Sequence, residues 1–266
     1  MGFLKKQCSL CNANIFVLAG NSLADGCYCN QCKKKLSPFF VHKNTLTVSA
    51  IRNQIEARKN NVQLYRSFVP TKSIGKHSRL LIDESNHQFV VLSALHKDDD
   101  QVPDVINISQ LIDCSVEIAE EKTEVKYKDF QDNVKSFSPP YYAYSYDFFI
   151  RISVNIPYIQ NIRIKINATT IDNNQPHILE KTGGIGQMFR DALGSARSYN
   201  GMTSNIDEVQ ASAAYKESAR IAGEMRDSLL EEKKHFQEKN TIRRCPWCDS
   251  IINNTSGICD HCNGVL

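Results

Sequence analysis

Apolar side chains recur at every second position from Tyr142 to Ile156, through Tyr144, Tyr146, Phe148, Ile150, Ile152 and Val154. A period of two is the signature of a strand with one buried face. Its length sets the register, because a slip of one residue would turn the whole apolar set to water. Pro139-Pro140 precede this strand and Pro157 breaks it, after which Ile162, Ile164 and Ile166 alternate with Arg163, Lys165 and Asn167 on a returning strand. Burial of the even-numbered positions accounts for the aromatic run more simply than a base-stacking platform does. Upstream, Arg79–Asp83 and residues 87–92 flank a polar turn at Glu84-Ser85-Asn86 and predict a hairpin. Cys114, Val116 and Ile118 share one face of a further strand.

Elsewhere the period lengthens. Val48, Ile51, Ile55, Val62 and Tyr65 recur at three, four or seven residues, with Thr45 or Thr47 to cap and Pro70 to stop, so one helix is expected here. Residues 206–238 predict a long helix of ~50 Å, with Val209, Ala213, Ala219, Ala222, Met225, Leu229 and Phe236 on a shallow apolar face. That face is suited either to pack on the strands or to serve as a partner seam. Between Thr170 and this helix the pattern dissolves, with Gly183-Gly184-Ile185-Gly186 in a stretch that reads as a flexible linker with a short helix at 187–196. The glycines lack the Gly-Lys-Ser/Thr of a phosphate loop. The expected class is α+β, an antiparallel β-rich central domain with flanking helices and a small module at each end. The boundaries are 1–37 for the N-terminal module, 38–69 for a connecting helix, 70–170 for the β domain, 171–205 for the linker, 206–240 for the long helix and 241–266 for the C-terminal module.

The end modules are defined by cysteine. Eight of the ten cysteines lie in Cys-x-x-Cys steps: Cys8 with Cys11 and Cys29 with Cys32, then Cys245 with Cys248 and Cys259 with Cys262. Seventeen residues separate the first two steps and ten separate the second two. Two such turns brought together supply four thiolates for a closed tetrahedral zinc site, and this spacing is that of a zinc ribbon. Two structural Zn²⁺ ions are therefore expected. Ile15–Leu18 reads as a strand over the first site, and Asp25-Gly26 turns the chain back. Cys27 and Cys114 read as small packed residues, His261 as a bystander to four sulfurs, and Asp98-Asp99-Asp100 as an exposed loop. The seven histidines show no ligand spacing.

The start of the chain lacks the apolar core of a secretory signal, and position 6 is Lys where myristoylation requires Ser or Thr. No run approaches the ~20 apolar residues of a membrane span. A cytoplasmic protein without a membrane partner is expected, its thiols binding metal rather than forming disulfides. The net charge is +3. Residues 1–37 sum to +4, which zinc and four thiolates reduce to +2, and residues 241–266 come to −2. Neither ribbon shows the concentrated basic face of a strong nucleic-acid binder, and Lys33-Lys34-Lys35 reads as a solvated patch. Neither Gly-x-Ser-x-Gly nor His-Glu-x-x-His occurs, and the cysteine pairs lack the βαβ setting of thiol redox catalysts. The expected function is a non-enzymatic zinc-binding interaction or scaffold module with an unidentified protein partner. The alternative is nucleic-acid binding through the ribbons.

Several motifs carry a resemblance. Cys8-x-x-Cys11, Leu23-Ala24-Asp25-Gly26, Cys29-x-x-Cys32 followed by Lys34-Lys35-Leu36-Ser37-Pro38-Phe39, and Pro139-Pro140 leading to Tyr144-Ser145-Tyr146-Asp147 resemble an uncharacterised bacterial family with an N-terminal zinc-ribbon-like domain. The likeness spans roughly residues 8–168 and implies zinc at Cys8, Cys11, Cys29 and Cys32, with no catalytic residues. The tail is similar to separate short ribbons at the ends of many bacterial proteins. The order of elements in the middle also resembles pleckstrin-homology-like domains.

Overall fold

The computed structural model describes residues 5–16, 20–93, 102–129, 131–156, 159–172, 178–179, 204–240, 243–245, 247–248, 250–252, 257–259, 261–262 and 264–265. Helices and antiparallel sheets are both present, and the longest element is the one whose alternation is most regular. Strand β10 (Val134–Ile156) pairs antiparallel with β9 (Leu111–Lys128) on one side and β11 (Ile159–Lys165) on the other. Its even-numbered residues from Tyr146 to Val154 are buried, together with Ile162, Ile164 and Ile166, so one face of this sheet becomes core. β10 begins earlier than the alternation alone marks. It runs through Pro139-Pro140 because the register slips between Ser136 and Tyr141, and residues that cannot donate to the ladder are accommodated in the bulge.

The chain approaches this sheet through a smaller one. The strands β5 (Lys72–Ile74), β6 (Arg79–Asp83), β7 (Gln88–Leu92) and β8 (Val105–Asn107) form an antiparallel meander, the predicted hairpin being β6–β7. A 3-10 turn, Ile108–Gln110, closed by a reciprocal cap between Asn107 and Gln110, leads into β9. A short strand, β12 (Ile178–Leu179), adds to β9 in parallel. Leu80, Ile82, Phe89 and Ile106 of the first sheet join Phe148, Ile150 and Ile152 of the second in one cluster. Cys114 lies in it, but Ile118, expected on the same face, is 46% exposed although it pairs with the buried Phe148.

The predicted C-terminal helix is two. α4 (Ile206–Ala211) stops at Ser212, whose hydroxyl accepts from the Tyr215 N–H at 3.2 Å and caps α5 (Ala213–Asn240). Val209, Ala222, Met225 and Leu229 are buried in the core of the β domain, whereas Ala213 is exposed. Of the two uses for this face, packing on the strands is the one realised. Gly75, at φ +94°, turns the chain beneath the helix where a Cβ would collide with the Ser78 carbonyl and the Met225 methyl. The predicted helix at 187–196 and the glycine cluster lie outside the described residues.

The N-terminal unit has two hairpins, β1 (Lys5–Gln7) with β2 (Asn14–Phe16) and β3 (Asn21–Leu23) with β4 (Gly26–Tyr28), then α1 (Asn30–Lys33). The single helix expected over 48–65 is also divided, into α2 (Val48–Ala57) and α3 (Asn61–Ser67). Thr47 caps α2 as its position predicted. α2 ends at Arg58, its C-cap, whose N–H still donates to the Gln54 carbonyl at 3.2 Å while its side chain leaves the helix. Its guanidinium donates to Asp104 at 2.7 Å, to the Lys35 carbonyl at 2.8 Å and to the Val102 carbonyl at 2.7 Å. Asn61 then bonds Pro103 and Val105, and the Ser37 hydroxyl donates to the other Asp104 oxygen at 2.5 Å. Ile51 is buried, but Val62 is exposed, so only the first half of the apolar stripe is core.

Asp104 therefore joins the N-terminal unit to the β domain. Replacing it with Ala leaves the half-sealed Arg58 guanidinium without a carboxylate, and a loss of ~3 kcal/mol is expected in chemical denaturation. Glu117→Gln, which removes a solvated carboxylate shared by Arg151 and Arg163 on the outer face of the sheet, is expected to leave the denaturation midpoint nearly unchanged.

Candidate metal centres

The first cysteine step sits in the turn between β1 and β2. The Cys8 N–H donates to the Ala13 carbonyl at 2.9 Å and the Asn12 N–H to the Cys8 carbonyl at 2.8 Å, curling residues 8–13 into a loop. Asn12 takes φ 60°, a left-handed conformation that Asn tolerates better than most side chains. The second step opens α1. Cys29 is its N-cap and accepts from the Cys32 N–H, so the first turn of helix carries both thiols to one side. The first loop is tied to β4, just before the second, by the Ser9 N–H donating to the Cys27 carbonyl at 2.8 Å, and to α2 by Arg52 donating to the Ser9 carbonyl at 2.9 Å.

These contacts bring Cys8, Cys11, Cys29 and Cys32 together with all four sulfurs within 4.8 Å of one another. Cys8 and Cys32 are 3.8 Å apart, and Cys11 and Cys29 are 3.7 Å apart. A tetrahedron with arms of ~2.3 Å has edges of about 3.8 Å, so the sulfurs already have the spacing of a four-thiolate metal site. They are far beyond the ~2.05 Å of a disulfide. All four are free thiols.

The second quartet repeats the design. Cys245, Cys248, Cys259 and Cys262 also lie within 4.8 Å of one another, with Cys245 and Cys262 3.5 Å apart and Cys248 and Cys259 3.7 Å apart. β13 (Arg243–Arg244) and β14 (Ile251–Ile252) pair beside it, and each loop is closed by a backbone bond, Cys245 to Ser250 and Cys259 to Gly264, both 2.9 Å. The Trp247 indole lies against Gly264, where a Cβ would meet its ring, and its Nε1 donates to the Val265 carbonyl at 2.9 Å. That contact was not legible from the cysteine spacing, although a Trp inside one knuckle and a Gly after the other are its sequence trace. Asp249 and Asn263, the neighbours of Trp247 and Gly264 in these loops, lie outside the described residues.

The charge on such a quartet is its chief problem. Four thiolates at these distances repel one another strongly unless a cation lies among them. Each quartet accordingly has one sulfur that ionises readily and another that resists. Burial works to raise the Cys8 thiol, but backbone N–H groups around Cys11 and Cys29 outweigh it and hold Cys8 at about 6. Burial and the three neighbouring sulfurs push Cys32 strongly up. In the second quartet hydrogen bonds with Ser250 hold Cys248 at about 6. Cys262 is helped by the Gly264 backbone, but Cys248 and burial raise it to about 12.

The remaining candidates stay apart from these clusters. Cys27 lies on β4, and its thiol donates to the Gln7 carbonyl at 3.4 Å. Cys114 is buried in the β-domain core, and that burial pushes its thiol up to about 12. His261 is exposed and belongs to neither quartet. Asp98-Asp99-Asp100 lie outside the described residues. No described helix is long and apolar enough to cross a membrane.

Residues 6–54 match a family model described as a domain of unknown function, DUF4428. The match covers the first quartet and the start of α2. No curated protein and no solved structure matches the chain.

Because a metal must displace the protons on these sulfurs, loading at either quartet is expected to weaken as pH falls. With one thiol per quartet held at about 6 and Cys32 and Cys262 pushed up, more than one proton should be taken up for each ion released on acidification to about 5. Chromophoric-chelator titration across the pH range reads this directly, and pH-independent retention would contradict it.

Proposed function

We propose that both quartets hold Zn²⁺ as structural ions, that the end modules are zinc ribbons, and that the protein is a non-enzymatic interaction or scaffold module. The observation that carries this is the 3.5–3.8 Å spacing of paired sulfurs in both quartets, which suits an ion with ~2.3 Å thiolate bonds. Four sulfurs close the coordination sphere and leave no position for substrate, which supports a structural over a catalytic role. Thiols committed in this way suit a reducing compartment such as the cytoplasm. The ion would be held by Cys8, Cys11, Cys29 and Cys32 at one end and by Cys245, Cys248, Cys259 and Cys262 at the other. When bound it supplies folding energy, of order 10–16 kcal/mol in small zinc modules. In the N-terminal unit that energy supplements a small core of Ile15, Leu23, Tyr28, Leu36 and Ile51.

The central domain supports a pleckstrin-homology-like reading in its order of elements. A four-stranded meander is followed by three antiparallel strands of a second sheet and then by a C-terminal helix packed on the core. In this reading the two ribbons are appendages of a binding domain, one of them tied to it through Asp104.

Elemental analysis of the purified chain is expected to give two zinc ions per molecule, and Cys11→Ser to give one. In that variant the N-terminal unit should lose protection in hydrogen exchange while β9–β11 keeps it. Two ions retained by Cys11→Ser, or none in the parent protein, would overturn the assignment.

A further inference from the structure

Charge is unevenly divided along this chain. Residues 1–80 carry 13 Lys and Arg against only Asp25 and Glu56, a balance of +11, so with +3 for the whole chain residues 81–266 carry −8. A zinc ion with four thiolates lowers the basic part only to about +9. Separate balances for the two ribbons miss this surplus because residues 38–80, between the first ribbon and β6, hold eight of the cations.

On α2–α3 these cations divide by role. Arg58 is taken by Asp104, and Arg52 donates to the Ser9 carbonyl. Lys59, in the turn before α3, and Arg66, on α3, are exposed, as are the aliphatic Val62 and Leu64 of α3 and Val69 just beyond its end. Val62 is 40% exposed, Val69 65% and the neighbouring Leu64 39%. Lys35, whose carbonyl accepts from Arg58, is a further exposed cation joined to this turn. The acid in this stretch is Glu56, paired with Lys59 at 2.6 Å where both side chains are largely solvated, so the pair holds the ammonium only weakly.

Two polyanions suit a basic surface, nucleic acid and acidic lipid, and the uncharged residues distinguish them. Nucleic-acid interfaces add to phosphate contacts by stacking bases on aromatic rings, whereas between Lys59 and Val69 the exposed apolar side chains are the aliphatic Val62, Leu64 and Val69, and the aromatic Tyr65 and Phe68 are partly covered. Aliphatic groups gain by entering the boundary of headgroups and acyl chains, while Lys and Arg extend their stems along that boundary and leave their charges among the headgroups. We propose that the α2–α3 face docks this protein on an acidic lipid bilayer, lying on the surface without crossing it. The inference rests on the interaction-module reading and names its partner. The expectation of no membrane partner was drawn from the lack of a spanning run, which a surface-lying mode does not require.

The test is cosedimentation of the full, zinc-loaded chain with vesicles of phosphatidylcholine containing about a third phosphatidylserine, against phosphatidylcholine alone and against a mixed-sequence oligonucleotide. The parent protein is expected to bind the acidic vesicles selectively and to be released by salt. Lys59→Gln with Arg66→Gln should weaken that binding roughly thirtyfold, and Val62→Ser with Val69→Ser should weaken it while leaving the salt dependence unchanged. Absence of vesicle binding at low salt, preference for the oligonucleotide, or equal binding by the parent and both double variants would each overturn the proposal. Zinc content measured on the same samples separates this outcome from the metal assignment: two ions per chain with no vesicle binding would refute the docking face alone.

Discussion

One strand organises most of this molecule. β10 is long, alternates strictly over its second half, and hydrogen-bonds on both edges, so its apolar face must be covered along its whole buried length. The meander β5–β8 covers part of that face, and α4 and α5 cover more through Val209, Ala222, Met225 and Leu229. Burial of Phe148, Ile150 and Ile152 is the driving term, worth roughly 1.5–3 kcal/mol for each side chain. The direction of the helix and the register of both neighbours follow from keeping that face dry.

The second organising contact is electrostatic and joins units of different kinds. Asp104, just before β8, accepts from Ser37 and Arg58, and Arg58 also binds the carbonyls of Lys35 and Val102. A carboxylate and guanidinium this enclosed destabilise the fold unless they are paired and fully hydrogen-bonded. Here they are, and the pairing ties the turn between α2 and α3 to the residue just before β8. The exposed side of α3 carries Arg66 with the aliphatic Val62 and Leu64. An unbroken helix would have carried Val62 and Tyr65 along the stripe that Ile51 begins.

The metal quartets obey a different logic, because they lie in units too small to hold themselves by apolar burial alone. Short hairpins and one turn of helix position the sulfurs, and hydrogen bonds favour the first ionisation in each set, from backbone N–H groups at Cys8 and from the Ser250 hydroxyl and backbone at Cys248. Cys32 and Cys262 resist ionisation until a cation arrives, so folding of these ends and capture of the ion are a single event in the proposed reading.

Much was legible in the sequence because it rests on local spacing. Period two marked β10 and β11, the Glu84–Asn86 turn marked the β6–β7 hairpin, and Cys-x-x-Cys steps marked the loops whose sulfurs now lie together. The single long helices were not legible as broken ones. Ser212 is an ordinary helix residue until its hydroxyl caps a second helix, and Arg58 fits an amphipathic pattern until Asp104, 46 residues away, claims it. The passage of β10 through Pro139-Pro140 was likewise hidden, since the bulge that permits it depends on the partner strand. Local chemistry determined which residues form strands, helices and thiolate loops. Tertiary structure alone decided where those elements bend and which side of each meets water, because bends and burial depend on partners far away in the chain.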